Sequence, residues 1–162
     1  MDPQKWIAIN KSFLSLAPAG IISLCAYGEA RGEGSEGIKA VLNVINNRVK
    51  HRGWFIEKEI AHLSSDYHGV VLKPFQFSCF LPGDPNREKL LEIANNIQEH
   101  MANNAILASC LDLSVQLVQG TLEDNTFGAT YYHTKQMNPF PHWASKFTRT
   151  VEIKNQIFYK EG

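Results

Sequence analysis

The chain has 162 residues, with 16 Lys and Arg against 16 Asp and Glu and a hydrophobic fraction of 44 %. That is one domain's worth of sequence, able to bury roughly 70 % of its unfolded surface in a single core, which excludes disorder. Zero formal charge removes the electrostatic footprint of a nucleic-acid binder and leaves no polybasic surface for anionic lipid.

In chain order, residues 1–20 read as a strand-like or loop prelude. Asp2 precedes the apolar run from Phe13 to Tyr27, and Pro18 and Gly20 interrupt it, so the run lacks the form of a Sec signal and is too short to span a bilayer. A core helix is expected from about Ile21. The strongest helical pattern follows Gly32 and Gly34, with Ser35 as N-cap and Ile38, Val41, Leu42, Ile45 and Val49 on one face, ending near Gly53. Residues 57–82 read as mostly irregular. A helix starts at Asp84-Pro85 with Leu90, Ile93, Ala94, Ile97 and Met101 as its stripe. Another spans Ala105 to Gln119, with Leu107, Leu111, Val115 and Val118 inward and Gly120 as its stop. Phe147 to Tyr159 reads as a hairpin turning at Lys154-Asn155. The fold class is helix-rich α+β with a small antiparallel sheet.

Cys25, Cys79 and Cys110 cannot all pair within one chain, and no CxxC occurs. Cys25 and Cys110 lie in apolar surroundings, as small buried hydrophobes do. The six histidines match no standard zinc spacing, so neither a metal nor any other cofactor is expected.

Three constellations stand out. In YGEARGEG, Glu29 directly follows an apolar helical run; partial desolvation there raises a carboxyl pKa and suits it to donate a proton. The bland alternative is a pair of surface glutamates, Glu29 and Glu33, flanking Arg31. In PFQFSCF (74–80), aromatic rings alternate with an amide and a hydroxyl, as a sugar groove requires; a core strand with Phe75, Phe77 and Cys79 inward fits equally. GATYYH (128–133) and NPFPHW (138–143) again cluster aromatics with Thr, His and Asn, although Trp143 and His133 are also compatible with core roles.

Taken together and in order, YGEARGEGSEGIKAVLNVINNRV, QFSC, GATYYH, PHW and the closing IFY resemble the SleB/CwlJ-type cell wall hydrolase family, the spore-cortex-lytic group that also includes phage endolysins. The likeness runs from about residue 22 to 159 and implies one catalytic domain over 1–162, with 1–20 as an extension. It further implies a lysozyme-like, lytic transglycosylase-like fold, peptidoglycan as substrate and Glu29 as the indispensable glutamate, cleaving the bond between N-acetylmuramic acid and N-acetylglucosamine. On this reading Gln76, Ser78, Thr130 and Tyr131 hold N-acetyl and hydroxyl groups, Phe77, Tyr132 and Trp143 contact sugar faces, and His133 orients Glu29 or Tyr131. The expectation is a monomeric phage endolysin, made in the host cytoplasm without a Sec signal and acting on the wall.

A two-carboxylate glycosidase would need a partner for Glu29; Asp66, Asp124 and Glu33 are candidates, none marked by a motif. One rival is a Cys/His amidase or peptidase with Cys79 as nucleophile, His133 as base and Asn138 orienting it. Another is a non-enzymatic wall-binding or virion module using the same aromatics.

Overall fold

The computed structural model describes residues 2–162, so the first residue of the expected domain lies outside it. The N-terminal segment is helical, contrary to the expected prelude. Asp2 caps α1 (Pro3–Ile9) by accepting from the Gln4 amide, and α2 (Lys11–Leu14) follows after Asn10. Both helices are drawn inward by one large residue each, Trp6 and Phe13, which belong to the main core. The Trp6 indole N–H donates to the Leu72 carbonyl at 2.7 Å, satisfying a buried donor while docking α1.

Helix α3 (Pro18–Ala30) begins with proline at its first position and is buried nearly all round. A helix apolar on every side until its last turn belongs at the centre of a fold, and α4, α6 and α9 pack against it. Helix α4 (Gly34–His51) buries Ile38, Val41, Leu42 and Ile45 as expected, and Val49 packs at the margin. Its cap position is Glu33 rather than Ser35, so the helix starts two residues earlier, at left-handed Gly34 (φ 72°).

The expected irregular stretch contains two short helices, α5 (Lys58–Leu63) and α6 (Asp66–Val71), and a single 3₁₀ turn at Ser78–Phe80. Six residues are too few to display a helical period, which is why the pattern hid them. Asn96 breaks the expected single helix into α7 (Pro85–Asn95) and α8 (Ile97–Asn103). Helix α9 (Ala105–Gln119) has the expected span, and Gly120 stops it in the left-handed conformation. Its buried face is Leu107, Cys110, Ser114 and Leu117. Val115 and Val118 are exposed instead, since the close approach to α3 selects the smaller Cys and Ser side chains.

Strands β1 (Tyr131–Thr134), β2 (Thr148–Ile153) and β3 (Gln156–Lys160) form an antiparallel sheet in the order β1-β3-β2. The β2–β3 hairpin turns at Lys154-Asn155 as expected, with Ile153 opposite Gln156. Strand β1 pairs Tyr131 with Tyr159 and Tyr132 with Phe158. Alternation sends Phe158 into a cluster with Ala40 and Val44 of α4, against which Tyr132 packs. It sends Tyr131, Ile157 and Tyr159 to the other face, with Phe55.

Candidate active site

Glu29 occupies the last turn of α3, half-buried. Burial is the main influence on its carboxyl and holds the pKa above the ordinary carboxylate value, while the Tyr132 and Cys79 side chains and the Arg48 charge pull the other way. Tyr132 donates its phenol to Glu29 Oε1 at 2.6 Å. A hydrogen bond to a carboxylate is among the stronger kinds, so Glu29 is held in one orientation between desolvation and stabilisation. Burial and the neighbouring Glu29 both push the Tyr132 phenol well up, which keeps its proton in place as a donor.

The Ser78–Phe80 turn closes against α3 at Gly28. A Cβ there would lie 2.9 Å from Cys79 Sγ and 3.2 Å from Leu90 Cδ1, inside ordinary carbon contact distance. Glycine is therefore what lets the turn reach the helix beside Glu29. The turn is braced from behind by Arg87, which is buried and donates to the Phe80 carbonyl, to Asn10 Oδ1 at 2.9 Å and to the Ile9 carbonyl at 2.7 Å.

Arg48 was not singled out by the motifs. It is 7 % exposed and donates to the Thr130 carbonyl at 2.8 Å and to Gln76 Oε1 at 3.1 Å. Its guanidinium lies 5.2 Å from the Phe55 and Phe77 ring centres and 5.8 Å from that of Tyr131, within cation–π range. Burial lowers its pKa. One side chain thus joins α4 to the QFSC segment and to the start of β1. The signal was in the sequence: Arg48 lies three residues beyond Ile45, on the apolar face of α4.

The expected site residues divide. Glu29, Tyr132 and the Ser78–Cys79 turn come together, and Gln76 and Thr130 meet at Arg48. Tyr132 is the hydrogen-bond partner of Glu29 rather than a free sugar-stacking ring. Phe77 is 3 % exposed and beneath the Arg48 guanidinium, so its faces are taken; the Thr130 side chain is buried as well. Tyr131 lies on the opposite face of β1 from Tyr132, its phenol donating to Glu161 Oε1 at 3.0 Å. Trp143 stacks among Tyr131, Phe147 and Tyr159 on that same face.

His133 is also there, 5 % exposed. Its Nδ1–H donates to the Thr134 carbonyl at 2.8 Å, leaving Nε2 to accept from Tyr159 Oη at 2.8 Å. It orients Tyr159, not Glu29 or Tyr131. The period-2 pleat separates what adjacency in sequence placed side by side.

The remaining carboxylates have other tasks. Asp66 pairs with Arg52 at 2.6 Å. Glu33 accepts from the Asn155 backbone N–H at 3.0 Å and its side-chain amide at 3.2 Å. Burial pushes the Asp124 carboxyl upward, but hydrogen bonds from Thr126, Asn47 and the Thr126 and Gly128 amides outweigh it and hold the pKa below the usual range.

Cys79 is buried, and its thiol is pushed well up by desolvation and by Glu29. With His133 engaged elsewhere, the amidase arrangement has no activated thiolate. All three cysteines are free. Among the described residues no three His, Cys, Asp or Glu side chains gather as a ligand set, and no single helix is long and apolar enough to cross a membrane.

A family model described as Cell Wall Hydrolase matches residues 32–159. Among solved structures, the chain is similar to the catalytic domain of the Bacillus cereus SleB protein, with 22 % identity and a TM-score of 0.54 over 88 % of this chain and 89 % of that one. It is likewise similar to the catalytic domain of the germination-specific lytic transglycosylase SleB from Bacillus anthracis, with 23 % identity and a TM-score of 0.53 over 88 % and 93 %. These likenesses carry the fold, a helix-rich α+β domain with a small sheet. No curated protein matches.

Proposed function

This chain belongs to the Cell Wall Hydrolase family, and from that premise we propose that it cleaves the N-acetylmuramic acid–N-acetylglucosamine bond of peptidoglycan as a lytic transglycosylase, with Glu29 as its one catalytic carboxyl. The observation that carries the reading is Glu29 itself: half-buried at a helix end, with its pKa raised by burial and its orientation fixed by Tyr132. Such a carboxyl is protonated where an exposed one is not, and donates that proton to the glycosidic oxygen as the bond breaks. Positive charge develops at the anomeric carbon. Glu29, now a carboxylate stabilised by the Tyr132 phenol and the Arg48 charge, takes the proton of the sugar's own 6-hydroxyl. That oxygen bonds to the anomeric carbon, closing an anhydro ring and returning Glu29 to its protonated state.

The one-carboxylate route is supported by the occupation of Asp66, Asp124 and Glu33 in other bonds. Ser78, exposed on the turn beside Glu29, is the hydroxyl of the motif that is free to meet substrate, and Gln76 offers the amide N–H₂ that Arg48 does not use. The place of Trp6 and Phe13 in the main core supports reading residues 2–20 with the rest as one catalytic domain. Mass spectrometry of digested peptidoglycan tests the reaction. Products lighter by one water than hydrolysed muropeptides support it; hydrated reducing ends or free stem peptides overturn it. We further propose an endolysin role: cytoplasmic expression is expected to leave cells intact until the inner membrane is permeabilised, and lysis on expression alone overturns it.

A further inference from the structure

Arg87 carries its charge into the interior with no carboxylate to meet it. It is 6 % exposed, and none of the ion pairs among the described residues includes it. Neutral oxygens meet the guanidinium instead: the Phe80 carbonyl, Asn10 Oδ1 and the Ile9 carbonyl. Burial lowers its pKa. A buried guanidinium is costly unless its donors are matched, so each of these oxygens matters to where Arg87 can sit.

Two of the three come from one place in the chain. Asn10 separates α1 from α2, and the break leaves the last carbonyl of α1, at Ile9, without a following turn to take it up. Asn10 is itself buried, and its Nδ2 donates to the Trp6 carbonyl at 2.8 Å, which aims Oδ1 at Arg87. Phe13 of α2 closes the enclosure. Its ring lies 5.6 Å from the Arg87 guanidinium and 5.0 Å, edge-on, from the Phe80 ring.

The third oxygen leads to the reacting centre. Phe80 ends the Ser78–Phe80 turn, and Cys79 of that turn lies against Gly28 and acts on the Glu29 carboxyl. The titratable and charged groups that bear on Glu29 are Tyr132, Cys79, Arg48 and Asp84. Of these, Cys79 is in the turn and Asp84 follows it as the cap of α7.

We propose that Asn10 is a positioning residue for the reaction at Glu29: with the Ile9 carbonyl it holds Arg87, Arg87 holds the Phe80 carbonyl, and the turn is kept against the catalytic carboxyl. The inference rests on the glycosidase reading. It adds a determinant of rate in the N-terminal helices, ahead of the residues 32–159 that the family model spans.

The test is steady-state cleavage of solubilised peptidoglycan strands by wild type, Asn10→Ala, Asn10→Asp and Trp6→Phe. Asn10→Ala is expected to lower kcat about tenfold, the effect of a small misplacement at the reacting centre, with KM little changed because no substrate contact is removed. It also moves the basic limb of the kcat profile to lower pH, since retreat of the turn relieves the desolvation that raises the Glu29 pKa. Asn10→Asp keeps an oxygen on Arg87 and recovers most of kcat. Trp6→Phe loosens the same helices at the Leu72 carbonyl but leaves the acceptors of Arg87 in place, so it loses stability and keeps both kcat and the limb. If Asn10→Ala does not fold, Arg87→Lys, which keeps the charge without the fork that spans three oxygens, is read in its place. Alkylation of the three buried thiols, located by peptide mass spectrometry, needs no turnover: Asn10→Ala is expected to unmask Cys79 ahead of Cys25 and Cys110. Equal unmasking of all three overturns the positioning role, and so does a kcat and limb that move no more than in Trp6→Phe. If wild type releases no glycan product while Cys79 alone is unmasked, the hold on the turn stands and the glycosidase reading falls.

Discussion

Substituting Gly28 by alanine places a methyl carbon 2.9 Å from Cys79 Sγ, 3.2 Å from Cys79 Cβ and 3.2 Å from Leu90 Cδ1. Overpacking of this kind costs about 1–3 kcal/mol, against roughly 1 kcal/mol gained from replacing a helical glycine. Gly28→Ala alone is therefore expected to lose up to about 2 kcal/mol, which at this chain length lowers Tm by about 2–4 °C per kcal/mol. Cys79→Ala alone removes one buried sulfur and costs about 1 kcal/mol. Combined, the closest contact vanishes while the helical gain remains. The double variant should thus be more stable than the sum of the singles by about 1–2 kcal/mol, measured by urea unfolding of all four proteins. The same cycle is read in wall-lysis rate: Gly28→Ala displaces the turn beside Glu29 and slows lysis, and Cys79→Ala in that background restores part of it. Additivity within about 0.5 kcal/mol, or a slow single variant that the second change does not help, refutes the close approach of turn and helix.

Glu29→Gln is expected to abolish wall lysis and to leave the fold at least as stable as wild type. The sign follows from a folded pKa raised above the unfolded value near 4.5. The stability associated with protonated Glu29 is fully present below that value and is lost as pH rises through the folded one, so the advantage of the glutamine variant grows with pH and then levels off; urea melts at a series of pH values check it. Tyr132→Phe removes the donor at 2.6 Å, a charge-assisted bond worth about 1.5–3 kcal/mol, and should move the basic limb of the lysis pH profile to higher pH; an unchanged profile contradicts the contact. Asp124→Ala frees the Thr126–Gly128 loop and is expected to cost about 2–4 kcal/mol in urea unfolding. Because that carboxyl's pKa is held low, its contribution is present above the unfolded value and is lost as pH falls through the folded one. Trp6→Phe strands the buried Leu72 carbonyl and should lower stability by about 1–3 kcal/mol, more than a change in a detachable extension could.

Much of the architecture was legible because its signals are long-range in pattern. The α4 stripe, the span of α9 with Gly120, and the β2–β3 turn each rest on a repeat or a stop residue that tertiary structure did not overrule. The half-buried position of Glu29 was legible for a different reason, a carboxylate at the end of an otherwise apolar helix. Illegible were features decided by partners. Nothing local distinguishes Val115 and Val118 from Leu117 as inward residues of α9; the approach of α3 does. Trp6 and Phe13 give no helical period in so short a segment and declare themselves only by docking. GATYYH stood out as an aromatic cluster but not as a strand, and only the pleat shows that Tyr132 and His133 lie on opposite faces.

The central position of β3 in the sheet has a consequence in time. Strand β1, which carries Tyr132, pairs among the described residues with β3 alone, and β3 follows α3 through α9 in chain order. A nascent chain that has already produced α3 through α9 holds Glu29 on its helix but has no sheet in which Tyr132 can be seated. Glu29 and Tyr132 are joined only when Gln156–Lys160 has emerged, so their contact forms after the helices that precede β3 have been made. A product terminated before Gln156 is then expected to keep its helices and to lack the Glu29–Tyr132 contact.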